Sequence, residues 1–288
     1  AGARDISVRS IAPDKRKDPD ARSALMSEVD LVVLCLPDDA AIEAVALADQ
    51  LGDKAPKIVD ASTAHRVASG WIYGFAELDA KQADAIANAQ RVANPGCYPT
   101  GGIALVRPLV DAGIIPADHA ITVNAVSGYS GGGKSMIEAY EVKKTAPSFE
   151  LYGLGLEHKH LPELQKYSRL QRRPIFVPSV GNFRQGMLVS IPLHLDALAG
   201  QPSVSDIEDT LAKHYAGSKV VSVVRDAPAV FKGRIAAEDL NSTDAMELAV
   251  FGNPAHRQAV LVARLDNLGK GASGAAVQNI RLMLGLGD

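Results

Sequence analysis

The sequence predicts an α/β protein in two units: a parallel sheet with helices on both faces, then an α+β region on a mixed or antiparallel sheet. Three observations carry this. Short β-branched runs alternate with amphipathic segments in the first part; strand-like runs dominate from Ile121 onward; and a Gly-rich C-terminal turn leads into one last apolar helix. With 288 residues, 47% hydrophobic and 22% charged, the chain has length for two modest cores, and its composition is not that of a disordered segment.

In chain order, Ile6–Ile11 reads as a strand, Pro19–Ser27 as a helix, Leu31–Leu36 as a strand, Asp39–Leu51 as a helix and Lys57–Asp60 as a strand. This is a β-α-β-α-β run, in which Asp38 or Asp39 can cap the second helix. A loop with Trp71 and Tyr73 follows, then a helix over Leu78–Ala89, a short strand Arg91–Ala93, the turn-rich segment Asn94–Gly101 and a helix Ile103–Ala112 closed by Gly113. Beyond it, strands are expected at Ile121–Val126, Ile175–Val180, Met187–His194, Lys219–Val224, Ala245–Phe251 and Ala259–Asp266. Helices are expected only at Ser135–Val142, Leu161–Gln171 and Ser205–Tyr215, which suits a sheet with helices on one side. The apolar helix within Gly269–Gly287 reads as a return to the first unit. The expected domains are therefore 1–118 with 269–288, and 119–268.

No apolar run reaches the roughly 18 to 20 residues of a membrane span, and Ala1–Asp20 is charged rather than patterned as a signal peptide. A cytoplasmic protein without membrane partners is expected. A net charge of −3 with interspersed signs gives no basic stripe, so nucleic acid is not an expected partner either and small molecules are. The two cysteines do not form a disulfide framework. Cys35, within an apolar run, reads as a small core residue.

Cys97 reads differently. It lies in Asn94-Pro95-Gly96-Cys97-Tyr98-Pro99-Thr100-Gly101 ahead of an apolar helix, where the helix dipole and free N–H groups favour a thiolate. Gly101 with Gly102 lets the backbone approach a ligand closely. A second concentration of chemistry is His158-Lys159-His160-Leu161-Pro162-Glu163, where a histidine with a near-neutral pKa can serve as acid or base. Its ligand types are too close in sequence, with no distant partner, to argue for a metal, and none is expected. Gly128-Tyr129-Ser130-Gly131-Gly132-Gly133-Lys134-Ser135 has the G-x-x-x-x-G-K-S spacing of a nucleotide-binding P-loop. The strand-rich sequence after it argues against that fold and for a plain anion cradle. The opening run resembles half of a Rossmann-type dinucleotide-binding domain, although no G-x-G-x-x-G is present, so the first strand and Gly loop of such a domain are absent from this sequence. Lys15, Arg16 and Lys17 after the Ile6–Ile11 strand suit a 2′-phosphate, hence NADP over NAD, and equally suit a solvated basic turn.

The Cys97 segment resembles the active-site segment of the N-acetyl-γ-glutamyl-phosphate reductases. Asp60-Ala61-Ser62-Thr63-Ala64-His65-Arg66, Tyr73-Gly74-Phe75-Ala76-Glu77-Leu78, Ser127–Lys134 and Lys270–Asn279 are also similar to the shorter type of that family. The resemblance implies a two-domain fold related to aspartate-semialdehyde and glyceraldehyde-phosphate dehydrogenases, preceded by a strand and Gly loop as a missing N-terminal segment. It implies an NADPH-dependent reduction of a small acyl phosphate in arginine biosynthesis, by a homodimer or homotetramer. It further implies Cys97 as nucleophile and His160 as acid/base, with Glu163 orienting that histidine or the substrate. Ser127 and Gly128 would border the substrate phosphate and the nicotinamide; Arg184 and Arg66 would be anion contacts. Pro37 and Ser62 would mark strand ends facing the cofactor, beside Gly101, and Asn279 would bind the nicotinamide carboxamide. An aspartate-semialdehyde dehydrogenase shares the chemistry but not the Tyr-Pro-Thr-Gly continuation, and a P-loop nucleotide-binding protein through Gly128–Ser135 is the alternative from another class.

Overall fold

In the computed structural model, which describes residues 6–287, two sheets share one long buried helix. The first sheet is parallel, in the order β1 (Leu31–Leu34), β2 (Lys57–Asp60), β4 (Arg91–Ala93) and β3 (Ile72–Tyr73). Successive residues of β2 face opposite ways, as a pleat requires. Ile58 packs with α1 (Pro19–Met26) and α2 (Asp38–Asp49), while Val59 packs with α3 (Gln82–Ala87) and α9 (Gly274–Met283). Helices thus cover both faces, and the C-terminal helix returns to this sheet as the sequence predicts.

The second sheet is mixed and seven-stranded. Its order is β6 (Phe149–Leu151), β7 (Ile175–Gly181), β5 (Thr122–Gly128), β8 (Met187–His194), β11 (Gln258–Leu265), β10 (Met246–Asn253) and β9 (Val221–Val224). The β5–β7 and β9–β10 pairs are parallel and the rest antiparallel. One face is covered by α4 (Cys97–Asp111), α6 (Leu161–Tyr167) and α7 (Val204–His214), burying Val123, Val189, Leu261 and Leu248 against Ile103, Leu164 and Leu211. A Ser203–Asp206 capping box starts α7. Two short helices, α5 (Gly133–Glu138) and α8 (Ala227–Phe231), lie in the connections. No helix among the described residues is long and apolar enough to cross a membrane.

Several expected elements differ. Ile6–Ile11 is not a strand: it joins no ladder, and Val8 is 83% exposed. Alternation alone does not hold a strand that has no hydrogen-bonded neighbour. Residues 1–5, within the first expected domain, lie outside the described residues. The expected helix Ile103–Ala112 begins six residues earlier, at Cys97, because Pro99 fits a first turn and Thr100 Oγ1 donates to the Gly96 carbonyl at 2.9 Å. The sequence reading missed β3 and β6, of two and three residues, and α8, which carry too short a pattern to register.

Candidate active site

Cys97 is the first residue of α4, half-buried, with extended Gly96 before it. The backbone N–H of Tyr98 is directed at its sulfur. Burial nevertheless pushes the thiol up to about 11, opposed first by Arg66 and then by that N–H, with Glu163 working the other way. Gly96 is the close-packed point of the site. A Cβ there would lie 2.6 Å from Arg66 Nη1, 2.7 Å from Glu163 Oε1 and 2.7 Å from His160 Nε2. A guanidinium, a carboxylate and an imidazole therefore converge on the residue that precedes the nucleophile.

Glu163, in the first turn of α6, is the hub of this convergence. It is 1% exposed and accepts from Arg66 Nη1 at 2.6 Å, Tyr73 Oη at 2.8 Å and the Gly96 N–H at 3.1 Å. Burial raises its pKa, against Arg66, the Gly96 N–H and Tyr73. These bonds make it the group that holds the Cys97 turn. Arg66 also donates from Nη2 to the Ala61 carbonyl at 3.1 Å. Burial disfavours its charge, but Glu163 and Tyr73 outweigh this and leave its pKa raised.

His160 immediately precedes α6 and is buried. Burial, then Arg66, His158 and Lys159, hold it well below its ordinary pKa; His158 is pushed down to about 4 by burial, Lys159 and Arg66. Both rings are neutral at pH 7. His160 Nδ1, Arg66 Nε and Asn279 Oδ1 are buried without a hydrogen-bond partner among the described residues. Buried polar atoms are nearly always satisfied, so the two exceptions on side chains that converge on Gly96, with Asn279 bonded to Asn94 two residues before it, mark a site that receives polar groups. Tyr98 closes one wall, donating to the Ser179 carbonyl at 3.0 Å and accepting from Tyr152 Oη at 3.0 Å. The returning turn closes another: a Cβ on Gly271 would lie 3.0 Å from Cys97 Cβ. That turn is held by buried Lys270, which donates to Glu77 at 2.6 Å and Gln278 at 2.7 Å.

The remaining expected residues divide. Ser127 is buried at the end of β5, donating to the Gly128 carbonyl at 3.0 Å, and lies within reach of Tyr98. Gly128 is packed against the backbone of Arg184 and Gln185, so its lack of a side chain is a packing requirement. Arg184 is exposed and paired with Glu141. Gly101 lies inside α4, where a Cβ would meet Val189 Cγ2 at 2.9 Å and Ala263 Cβ at 3.2 Å, so helix–sheet packing by itself requires a glycine there. Pro37 and Ser62 do follow the C-terminal ends of β1 and β2. Ser62 Oγ donates to buried Asp60 at 2.6 Å, and Asp60 also binds His65 Nδ1 at 2.6 Å, so the hydroxyl stabilises the turn that delivers Arg66. Asn279 Nδ2 donates to the Gly74 carbonyl at 3.0 Å and Asn94 Oδ1 at 3.1 Å, which leaves its Oδ1 to accept from an amide. Cys35, expected in the core, is exposed just past β1. The P-loop alternative fails on structure: Gly128 opens onto a 3-10 turn, Tyr129–Gly132, and β6, the next strand in sequence, is an antiparallel edge strand. Arg66 and Tyr73 were under-read; Arg66 follows the C-terminal end of a parallel strand, where α/β sheets place ligand contacts, and that is the signal that finds it.

The family model for the semialdehyde dehydrogenase dimerisation domain matches residues 97–267, from Cys97 at the start of α4 to the end of β11 and two residues beyond. Among solved structures, aspartate semialdehyde dehydrogenase II from Vibrio cholerae aligns with TM-score 0.68 at 17% identity, over 90% of this chain and 81% of that one. Aspartate semialdehyde dehydrogenase with NADP from Candida albicans aligns with TM-score 0.58 at 15% identity, over 89% and 78%. At such identities the likeness is one of fold. N-acetyl-gamma-glutamyl-phosphate reductases from Brucella ovis and Brucella suis are each 54% identical over 285 residues, covering 98% of this chain and 91% of theirs. The chain belongs to the N-acetyl-γ-glutamyl-phosphate reductase family.

Proposed function

We propose that the protein reduces N-acetyl-γ-glutamyl phosphate to N-acetylglutamate semialdehyde and phosphate, with NADPH as reductant, in arginine biosynthesis. The observation that carries this is the placing of Cys97 at the N-terminus of α4, with His160 Nε2 against Gly96.

The resting pair is a thiol and a neutral imidazole. As Cys97 Sγ attacks the acyl carbon, His160 takes its proton and phosphate departs, leaving a thioester on Cys97. NADPH, when bound, supplies the hydride that reduces the thioester carbon. His160 then returns its proton to the oxygen, and collapse of the hemithioacetal through the same imidazole releases the aldehyde and the sulfur. The N–H groups at the start of α4 face the developing oxyanion region. Arg66 and Lys159, whose fields both reach His160, give an acidic substrate a favourable potential.

Asn279 suits the nicotinamide carboxamide, because its buried Oδ1 has no partner while its Nδ2 is fixed. Pro37 and Ser62 stand at the strand ends on the cofactor side. In this reading 1–118 with 269–288 carries the cofactor and 119–268 the substrate and the subunit contact, with α4 as the wall between them. A working thiol, with Cys35 also free, suits a reducing cytoplasm. The subunit contact is the face of the seven-stranded sheet opposite α4, where the register brings Phe149, Leu151, Ile175 and Val260 to one side, each exposed. A second copy would cover these apolar side chains.

The assay is NADP-dependent oxidation of N-acetylglutamate semialdehyde in phosphate buffer, followed at the nicotinamide absorbance. Activity in the parent that is lost in Cys97→Ser supports the reading. Equal rates in the two, or oxidation of aspartate semialdehyde in preference, would overturn it.

A further inference from the structure

We propose that Arg66 is the charge that poises Cys97: its guanidinium, fixed beside Gly96, stabilises the thiolate, while His160 contributes a proton-accepting imidazole and no charge. The inference rests on Cys97 being the nucleophile of the reaction proposed above.

The geometry singles out Arg66. It comes from the turn after β2, is 8% exposed, and is gripped at two nitrogens by Glu163 Oε1 and the Ala61 carbonyl. Its Nη1 reaches the Gly96 position as closely as His160 Nε2 does. The grip leads back to Asp60, which binds Ser62 and His65, and the His65 ring stacks on Trp71 at 4.2 Å. The turn therefore delivers one cation to one place. Beside the backbone N–H groups at the start of α4, every other side chain among the described residues that faces Cys97 is of the wrong kind to supply a positive charge. From α6 and its approach come Glu163, an anion, and His158 and His160, which burial keeps neutral; Lys159 is exposed, at the solvent edge of the approach. From α4 comes Tyr98 and from the end of β6 Tyr152, whose hydroxyls bond to one another and to Ser179; from the returning turn comes uncharged Gly271. Arg66 is also held in place by the carboxylate that opposes it. The pair Arg66–Glu163 thus sets the thiol between two opposite influences, and removing either should shift it in opposite directions.

The test is the rate of iodoacetamide alkylation of Cys97 against pH, read on the Cys97 peptide by mass spectrometry so that exposed Cys35 does not interfere. Alkylation follows the thiolate fraction. Arg66→Gln is expected to slow Cys97 alkylation at pH 8 about tenfold, an opposite charge being worth about one pH unit or more. Arg66→Lys should restore most of the rate. Glu163→Gln keeps an acceptor for the Gly96 N–H but drops the negative charge, and should accelerate alkylation. His160→Asn should leave the rate within about twofold, since it removes no charge. A merely structural role for Arg66 would instead slow Arg66→Gln and Glu163→Gln alike. Equal rates in Arg66→Gln and the parent, slowing in both of those variants, or a fall in His160→Asn as large as in Arg66→Gln, would overturn the proposal. Failure of the reductase reading is separate: it shows as activity retained in Cys97→Ser, whatever the alkylation rates.

Discussion

At the scale of single residues, the site is a set of buried groups that constrain one another. Glu163→Ala would leave Arg66 buried without its carboxylate and free the Gly96 N–H. It should cost about 3–5 kcal/mol, read as a fall in denaturant midpoint. Glu163→Gln keeps an acceptor for Tyr73 and the Gly96 N–H but still leaves Arg66 without its carboxylate, so it should recover only the part of that cost that belongs to those two bonds. The histidines predict the pH dependence. His158 is held at about 4 in the folded protein against an ordinary value of 6.5, and His160 is displaced in the same direction, burial being the first cause for both. The unfolded chain then binds protons that the folded chain does not, so stability is full above about 6.5 and declines as pH falls from there toward 4. The thermal midpoint should drop between pH 7 and 5, and less steeply in His158→Gln; identical slopes would contradict this. Cys97 and His160 were legible in the sequence because each sits in a local pattern, a turn-rich helix start and a paired-histidine helix start. Arg66 and Tyr73 were hardly legible as site residues, because their partner Glu163 is 97 and 90 positions away and nothing local reports the contact.

Elements place these residues, and α4 does most of it. It carries Cys97 at one end and packs along β8 and β11 without room to spare. Gly101→Val should overpack Val189 and Ala263 and destabilise by about 1–3 kcal/mol, visible as a lowered melting temperature. Gly96→Ala is a different kind of change. Its Cβ would press on three functional side chains, so it should lower kcat in a protein whose circular dichroism is unaltered. A variant with parent activity would show that the convergence on Gly96 is looser than described. Helices α2 and α7 were legible from their period, and most strands of the second sheet from alternation; the cap expected of Asp38 or Asp39 on α2 is not made, since Pro37 is the N-cap and the Asp38 carboxylate accepts from Thr63 instead. Ile6–Ile11 was misread because alternation describes one strand, whereas a ladder needs two. The packing role of the glycines of α4 was hidden for a related reason: a glycine required by helix–sheet packing and one required by a ligand look alike until the neighbour is known.

For the whole molecule, the division of labour follows from two sheets meeting along α4 and the returning segment 269–283. That return was legible, since an apolar helix after the last strand must dock somewhere, and its partner β2 was found by the fold. The order of the seven-stranded sheet was not, because long-range pairing leaves no mark in a single strand. The open face of that sheet predicts association: Ile175→Glu combined with Val260→Glu should lower the sedimentation mass to that of one chain while the melting transition persists, and an unchanged mass would move the contact elsewhere. The central claim is that all of this architecture presents an acyl phosphate to one sulfur. It is tested most directly by mixing the chain with N-acetyl-γ-glutamyl phosphate in the absence of nicotinamide cofactor, quenching rapidly, and weighing the peptides. One acyl group on the Cys97 peptide, removable by hydroxylamine and formed with release of one phosphate, is the predicted result; an unmodified Cys97, or an acyl group carried by another residue, would contradict it.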